Sequence, residues 1–160
     1  MNEFSGTVPF GLYSSLTDLL ELRVGANRFT GTIPTEVSNM IQLTNLVLVD
    51  NMLSGTIPTE VGLLTLLTNL QLANNDLVGT IPSEIGALTK LTKLSLSYTD
   101  LTGTVPQTFF NLKAMRKIFF QSSSVSGNLT FMCDESIGPL SPFRADLNEV
   151  DECACCTCCA

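Results

Sequence analysis

The sequence predicts a repeat solenoid of the α/β kind, in which short parallel strands stack coil on coil. Three observations predict it. Asparagines recur 24 residues apart, at Asn27, Asn51 and Asn75, and the same step leads on to Thr99 and Ser123. Each of the first four positions is followed at +2, +4 and +6 by an apolar residue, a glycine and an aliphatic residue: Phe29-Gly31-Ile33, Leu53-Gly55-Ile57, Leu77-Gly79-Ile81 and Leu101-Gly103-Val105. Prolines 34, 58, 82 and 106 close each set. A fixed period of this length belongs to coil-stacking architectures, where one coil cannot bury its own apolar face and neighbours must cover it.

The stretch Leu64–Pro82 shows what each position does. Leu70 and Leu72 alternate with period two, so both side chains point inward from one short strand. Asn75 follows, and a buried amide at the same place in every coil can satisfy backbone groups of its neighbours. Gly79 turns the chain where a Cβ would crowd it, and Pro82 fixes φ at the end of an extended segment. Leu64 and Leu67 close the convex side.

These residues resemble the plant-type leucine-rich repeat of receptor-like proteins, receptor kinases and polygalacturonase inhibitors. The resemblance covers about four-fifths of the chain. It implies a right-handed superhelix with a short parallel concave sheet and a convex side of 3-10 turns and loops. Residues 1–130 are expected to form this solenoid, as a partial first coil (Asn2-Phe4-Gly6-Val8-Pro9) plus about five coils of 24 residues. Strands are expected around Leu22–Val24, Leu46–Leu48, Leu70–Leu72, Leu94–Leu96 and Ile118–Phe120. Five strands at ~4.8 Å give a platform about 20 Å across.

Residues 131–160 form an acidic, Cys-rich C-terminal cap or tail. They hold Asp134, Glu135, Asp146, Glu149, Asp151 and Glu152 against Arg144 alone, and an irregular apolar set able to cover the last coil. All six cysteines lie there: Cys133, Cys153, Cys155, Cys156, Cys158 and Cys159. An even number suits a disulfide cap outside the cell, with Cys133 as the distant partner. The crowded pairs also suit soft metals, palmitoylation or intermolecular crosslinks. The ending resembles Cys-rich diatom and other stramenopile leucine-rich-repeat proteins, although Leu147 stands where those often carry Cys. Asn128-Leu129-Thr130 is a glycosylation triplet.

Composition narrows function. The net charge is −7, which disfavours a nucleic-acid partner. There is no His, so Ser-His-Asp and Cys-His constellations cannot be assembled, and Glu36, Glu60 and Glu84 recur as convex surface residues. No enzyme, cofactor or metal centre is expected in the coils. No apolar run reaches membrane-spanning length, and Met1 opens within a repeat without a signal peptide. A fragment is therefore expected, from an extracellular or cell-surface protein whose membrane segment, if any, lies outside this chain.

The expected site is the concave face, which the resemblance implies would bind a protein, peptide or glycan. Its outward residues are Glu21, Arg23, Asn45, Val47, Val49, Asn69, Gln71, Lys93, Ser95, Ser97, Lys117, Phe119 and Gln121, with Asp50 and Tyr98 flanking and Arg116 nearby. Aromatic and Arg side chains are the usual anchors of such surfaces. A second candidate is a pair of hydroxyl columns. One is Thr7, Thr32, Thr56, Thr80 and Thr104. The other is Ser5, Thr30, Ser54, Thr102 and Ser126, interrupted by Val78. Such columns resemble the Thr-x-Thr faces of ice-binding solenoids, and are also ordinary filling in this repeat.

Overall fold

A computed structural model of the protein describes residues 2–9, 11, 15–127 and the backbone of 144–146. In chain order its strands are β1 (Ser5–Thr7), β2 (Glu21–Arg23), β3 (Arg28–Thr30), β4 (Asn45–Val47), β5 (Ser54–Gly55), β6 (Asn69–Gln71), β7 (Asp76–Thr80), β8 (Lys93–Ser95), β9 (Asp100–Thr104), β10 (Lys117–Phe119), β11 (Ser124–Ser126) and β12 (Arg144–Asp146). The concave sheet runs β12-β10-β8-β6-β4-β2, every neighbouring pair parallel. Leu22, Leu46, Leu70, Leu94 and Ile118 face one another in register and are buried. Leu48, Leu72, Leu96 and Phe120 are buried two residues further on.

Three details differ from the sequence expectation. The strands begin one residue earlier than the Leu-x-Leu pattern marks. The second leucine lies just past the strand end, yet still joins the ladder: the Leu48 N–H donates to the Gln71 carbonyl at 2.8 Å. The sheet has six strands, not five. β12 pairs with β10 through Lys117↔Arg144, Ile118↔Ala145 and Phe119↔Asp146, where the 24-residue period has already failed. Ladder pairing needs only backbone groups, so a segment without the leucine pattern can add to the edge.

The third difference is a second row of strands beside the 3-10 turns. β5, β7, β9 and β11 form a parallel sheet, β1 pairs with β3, and a Thr32↔Ser54 bridge links the two groups. Toward the end of these strands lie Gly31, Gly55, Gly79 and Gly103, at φ between +75° and +88°, a backbone state that L side chains rarely adopt. Glycine and short polar residues dilute the β signal, so the sequence reads there as loop.

The chain then bends into 3-10 turns at Thr35–Asn39, Thr59–Leu63, Ser83–Ala87 and Gln107–Asn111, each entered from an extended proline. Val37, Val61, Ile85 and Phe109 are fully buried in these turns, and Gly62 and Gly86 are buried beside them. The turns of neighbouring coils touch closely. A Cβ added at Gly62 would lie 2.5 Å from the Glu84 carbonyl oxygen.

An interior file of side chains holds the coils together. Asn51 Nδ2 donates to the Leu48 and Val49 carbonyls of its own coil and to the Val24 carbonyl of the preceding one, at 3.0–3.3 Å. Its Oδ1 accepts from the Phe29 N–H at 3.0 Å. Asn75 repeats the pattern with Leu72, Ala73, Leu48 and the Leu53 N–H. Asn27 bonds to the Val24 and Gly25 carbonyls and accepts from the Phe4 N–H. Thr99 and Ser123 occupy the same file, but their hydroxyls reach only their own coil, at the Leu96 and Phe120 carbonyls. The residue before each file position is left-handed: Ala26, Asp50, Asn74, Tyr98 and Ser122 have φ of 51–58°.

Candidate recognition groove on the concave face

Strand pairing turns the outward residues of the concave sheet into columns. The first column is Glu21, Asn45, Asn69, Lys93 and Lys117, with Arg144 at the next register position. The second is Arg23, Val47, Gln71, Ser95 and Phe119. Val49, Ala73, Ser97 and Gln121 follow each strand on the same side.

The two ends of this surface differ in chemistry. At the β2 end, Arg23 Nε donates to Glu21 Oε2 at 2.8 Å, and Asn45 Nδ2 donates to Glu21 Oε1 at 3.1 Å. The hydrogen bond to Glu21, then its charge, raises the Arg23 pKa above the usual value. The acid and the base there satisfy each other. At the β8–β10 end, Lys93 Nζ donates to the neutral Gln71 amide oxygen at 2.9 Å. Among the described residues the ion pairs are Arg23–Glu21 and Arg28–Glu3, neither of which involves Lys93 or Lys117.

A hollow of about 540 Å³ opens at this second end. Phe119, Val49 and Ala73 give it an apolar floor. Lys93, Ser95, Ser97, Tyr98 and Gln121 supply polar groups, and Asp50 and Asn74 form one rim. Asn74 Nδ2 donates to Asp50 Oδ1 at 2.7 Å, which fixes that rim. Of the concave residues expected from the sequence, Val49, Lys93, Ser95, Ser97, Tyr98, Phe119 and Gln121 converge on the hollow. Glu21, Arg23, Asn45, Val47, Asn69, Gln71 and Lys117 lie outside its lining. Asn74 escaped the sequence reading. Its signal is positional, since it precedes a file position, as Asp50 and Tyr98 do. Asn128 and all six cysteines lie outside the described residues, so their roles stay expectations.

This surface is an open sheet face with one hollow, on a stack of coils. Leucine Rich Repeat models match residues 66–88 and 90–112. No curated protein matches the chain. Among solved structures, the Arabidopsis receptor kinase HAESA in complex with the peptide hormone IDA and the co-receptor SERK1 is 34% identical, with a TM-score of 0.81. That likeness covers 93% of this chain and 25% of HAESA. The structure titled PEPR1-AtPEP1 is 31% identical over 92% of this chain and 20% of its own, with a TM-score of 0.84. A plant ice-binding protein is 32% identical over 81% of this chain and 41% of its own, with a TM-score of 0.76. The chain has the fold of a leucine-rich-repeat solenoid, like the coils of plant receptor-kinase ectodomains. It spans between a fifth and two-fifths of the length of these three structures. Among the described residues no helix is long and apolar enough to cross a membrane.

Proposed function

We propose that the protein is a recognition module that binds a protein or peptide ligand on its concave sheet, at the cell surface or outside the cell, and that it is not a catalyst. The observation that carries this reading is the hollow at β8–β10, which combines an apolar floor with a rim of prearranged polar groups. Such a mixture is the usual make-up of a ligand site. The HAESA complex with a peptide hormone supports a peptide ligand; a glycan fits the polar rim as well. The test is selection of displayed random linear peptides on the immobilised chain. Enrichment that disappears with Lys93→Glu plus Phe119→Ala supports the reading, and enrichment indifferent to that double variant refutes it.

The flank sheet favours a second reading, adhesion to ice. Thr32, Thr56, Thr80 and Thr104 are exposed and stand on successive coils. The Cγ2 methyls of Thr32, Thr56 and Thr80 lie against the glycine of the following coil, where an added Cβ would fall 2.9–3.0 Å away. The neighbouring Thr30, Ser54, Thr102 and Ser126 hydroxyls donate to glycine carbonyls of the preceding coil at 3.3–3.4 Å. The array is therefore rigid, in steps of ~4.8 Å. Inhibition of ice recrystallisation by the wild-type chain, lost with Thr56→Lys plus Thr80→Lys, supports it, and no inhibition refutes it. A soft-metal role for the cysteines is read by native mass: bound zinc or copper adds its own mass, whereas three disulfides remove six hydrogens.

A further inference from the structure

The groove reading leaves open which peptide chemistry fits, and two observations answer it. The first is a charge ladder. Lys93 and Lys117 stand directly opposite each other in one outward column on adjacent strands. Like charges placed directly opposite one another repel, and the fold does not require them there, because the same column carries Glu21, Asn45 and Asn69 in the earlier coils. Among the described residues no acid pairs with Lys93 or Lys117.

The second observation is Tyr98. Its position must be left-handed, at φ 54°, as the equivalent residue is in every coil. The other coils place Ala, Asp, Asn and Ser there. A bulky aromatic is the costliest of the five in this backbone state. Packing does not repay that cost, since the side chain is 57% exposed at the groove. Beside it Ser97 lines the same hollow, is only 5% exposed, and its Oγ has no hydrogen-bond partner. A buried hydroxyl without a partner is a group waiting for one.

We infer that the groove takes an extended acidic peptide. An apolar side chain of that peptide rests between Tyr98 and Phe119, its carboxylates lie along Lys93 and Lys117, and a polar group bonds to Ser97 Oγ. The Asp50 rim on the far side sets polarity, because it repels the acidic end and accepts from N–H groups. This rests on the proposed peptide-binding role and specifies its ligand.

The test uses the full chain and labelled peptide pools of about ten residues, long enough at ~3.3 Å per residue to cross the sheet. One pool mixes Asp and Glu with Leu and Phe. A second replaces the acids by Lys and Arg, and a third by Ser and Gln. Each is made with free and with amidated C-termini, so that side-chain and terminal carboxylates are told apart. The acidic pool is expected to bind at least about tenfold tighter than the basic one, and to weaken as salt rises. Lys93→Glu plus Lys117→Glu should reverse the preference. Tyr98→Asn should raise Tm while weakening acidic-pool binding about tenfold, an opposition that a merely structural residue cannot produce.

Equal binding of the acidic and neutral pools, still weakened by Tyr98→Asn, overturns the acidic assignment and leaves the peptide groove standing. Binding by no pool, or binding indifferent to all three groove substitutions, overturns both. Acidic-pool binding that emerges only with Glu149→Gln, Asp151→Gln and Glu152→Gln assigns the groove to the chain's own acidic segment and also overturns the proposal.

Discussion

The two halves of the coil stack are joined differently, and they present different surfaces. From Asn27 to Asn75 each file residue bonds outside its own coil as well as within it. The file hydroxyls of Thr99 and Ser123 bond only within their own coil. The concave face changes at the same place. On the strands up to β6 its outward residues are amides, Val47 and a self-satisfied Glu21–Arg23 pair; from β8 on come Lys93, Lys117, Tyr98 and Phe119, and the hollow lies between Lys93, Tyr98 and Phe119 and the Val49, Asp50, Ala73 and Asn74 that follow β4 and β6. The leucine registry continues unbroken beneath both halves, with Leu94, Leu96, Ile118 and Phe120 still buried. The difference teaches that apolar registry and strand pairing carry the coils through, while the amide file adds interior cross-links that the coils of Thr99 and Ser123 do without.

The largest expected effect breaks the better-joined half. Asn75→Ala leaves the buried Leu53 N–H without its partner and cuts the inter-coil bond to the Leu48 carbonyl, which keeps only Asn51, and should cost about 3 kcal/mol in urea unfolding. Thr99→Ala removes one bond within a coil and should cost only about 1 kcal/mol. Equal losses at the two positions would erase the contrast. Next in size is Gly62→Ala, where the new methyl meets the backbone of the following turn; about 2 kcal/mol is expected from the same titration. The converse change, Thr99→Asn, should restore a reach to the Leu72 carbonyl of the preceding coil, equivalent to the bond from Asn75 to Leu48. It should gain about 1 kcal/mol and make the halves more alike. The smallest effect is expected from Arg23→Ala, whose ion pair is half exposed and screened by solvent. Its thermal midpoint should stay within error of wild type.

Much of this was legible in the sequence, because a coil stack writes its interior as a period. The 24-residue step places Leu22, Leu46, Leu70, Leu94 and Ile118 in register before any coordinate is known, and the prolines mark the entrances to the 3-10 turns. The flank strands were not legible, because Gly31, Gly55, Gly79 and Gly103 suppress the β signal that their backbone pairing creates. β12 was hidden for a different reason: it joins through main-chain pairing, with Ala145 opposite Ile118, out of step with the 24-residue period. The columns of the concave face followed from alternation alone. Where a hollow forms along them did not, since that depends on how Val49, Ala73, Tyr98 and Phe119 from four coils meet. Ser97 shows the limit of alternation, for it faces the groove side yet is nearly closed off by its neighbours.

The most direct test of the division between a joining half and a recognising half is hydrogen–deuterium exchange of the full chain, with and without the acidic peptide pool. Slowed exchange over 93–98 and 117–121, with 21–23 and 45–47 unchanged, is the outcome this account predicts. Protection spread evenly over all the concave strands, or confined to the flank strands at 54–55 and 76–80, would contradict it.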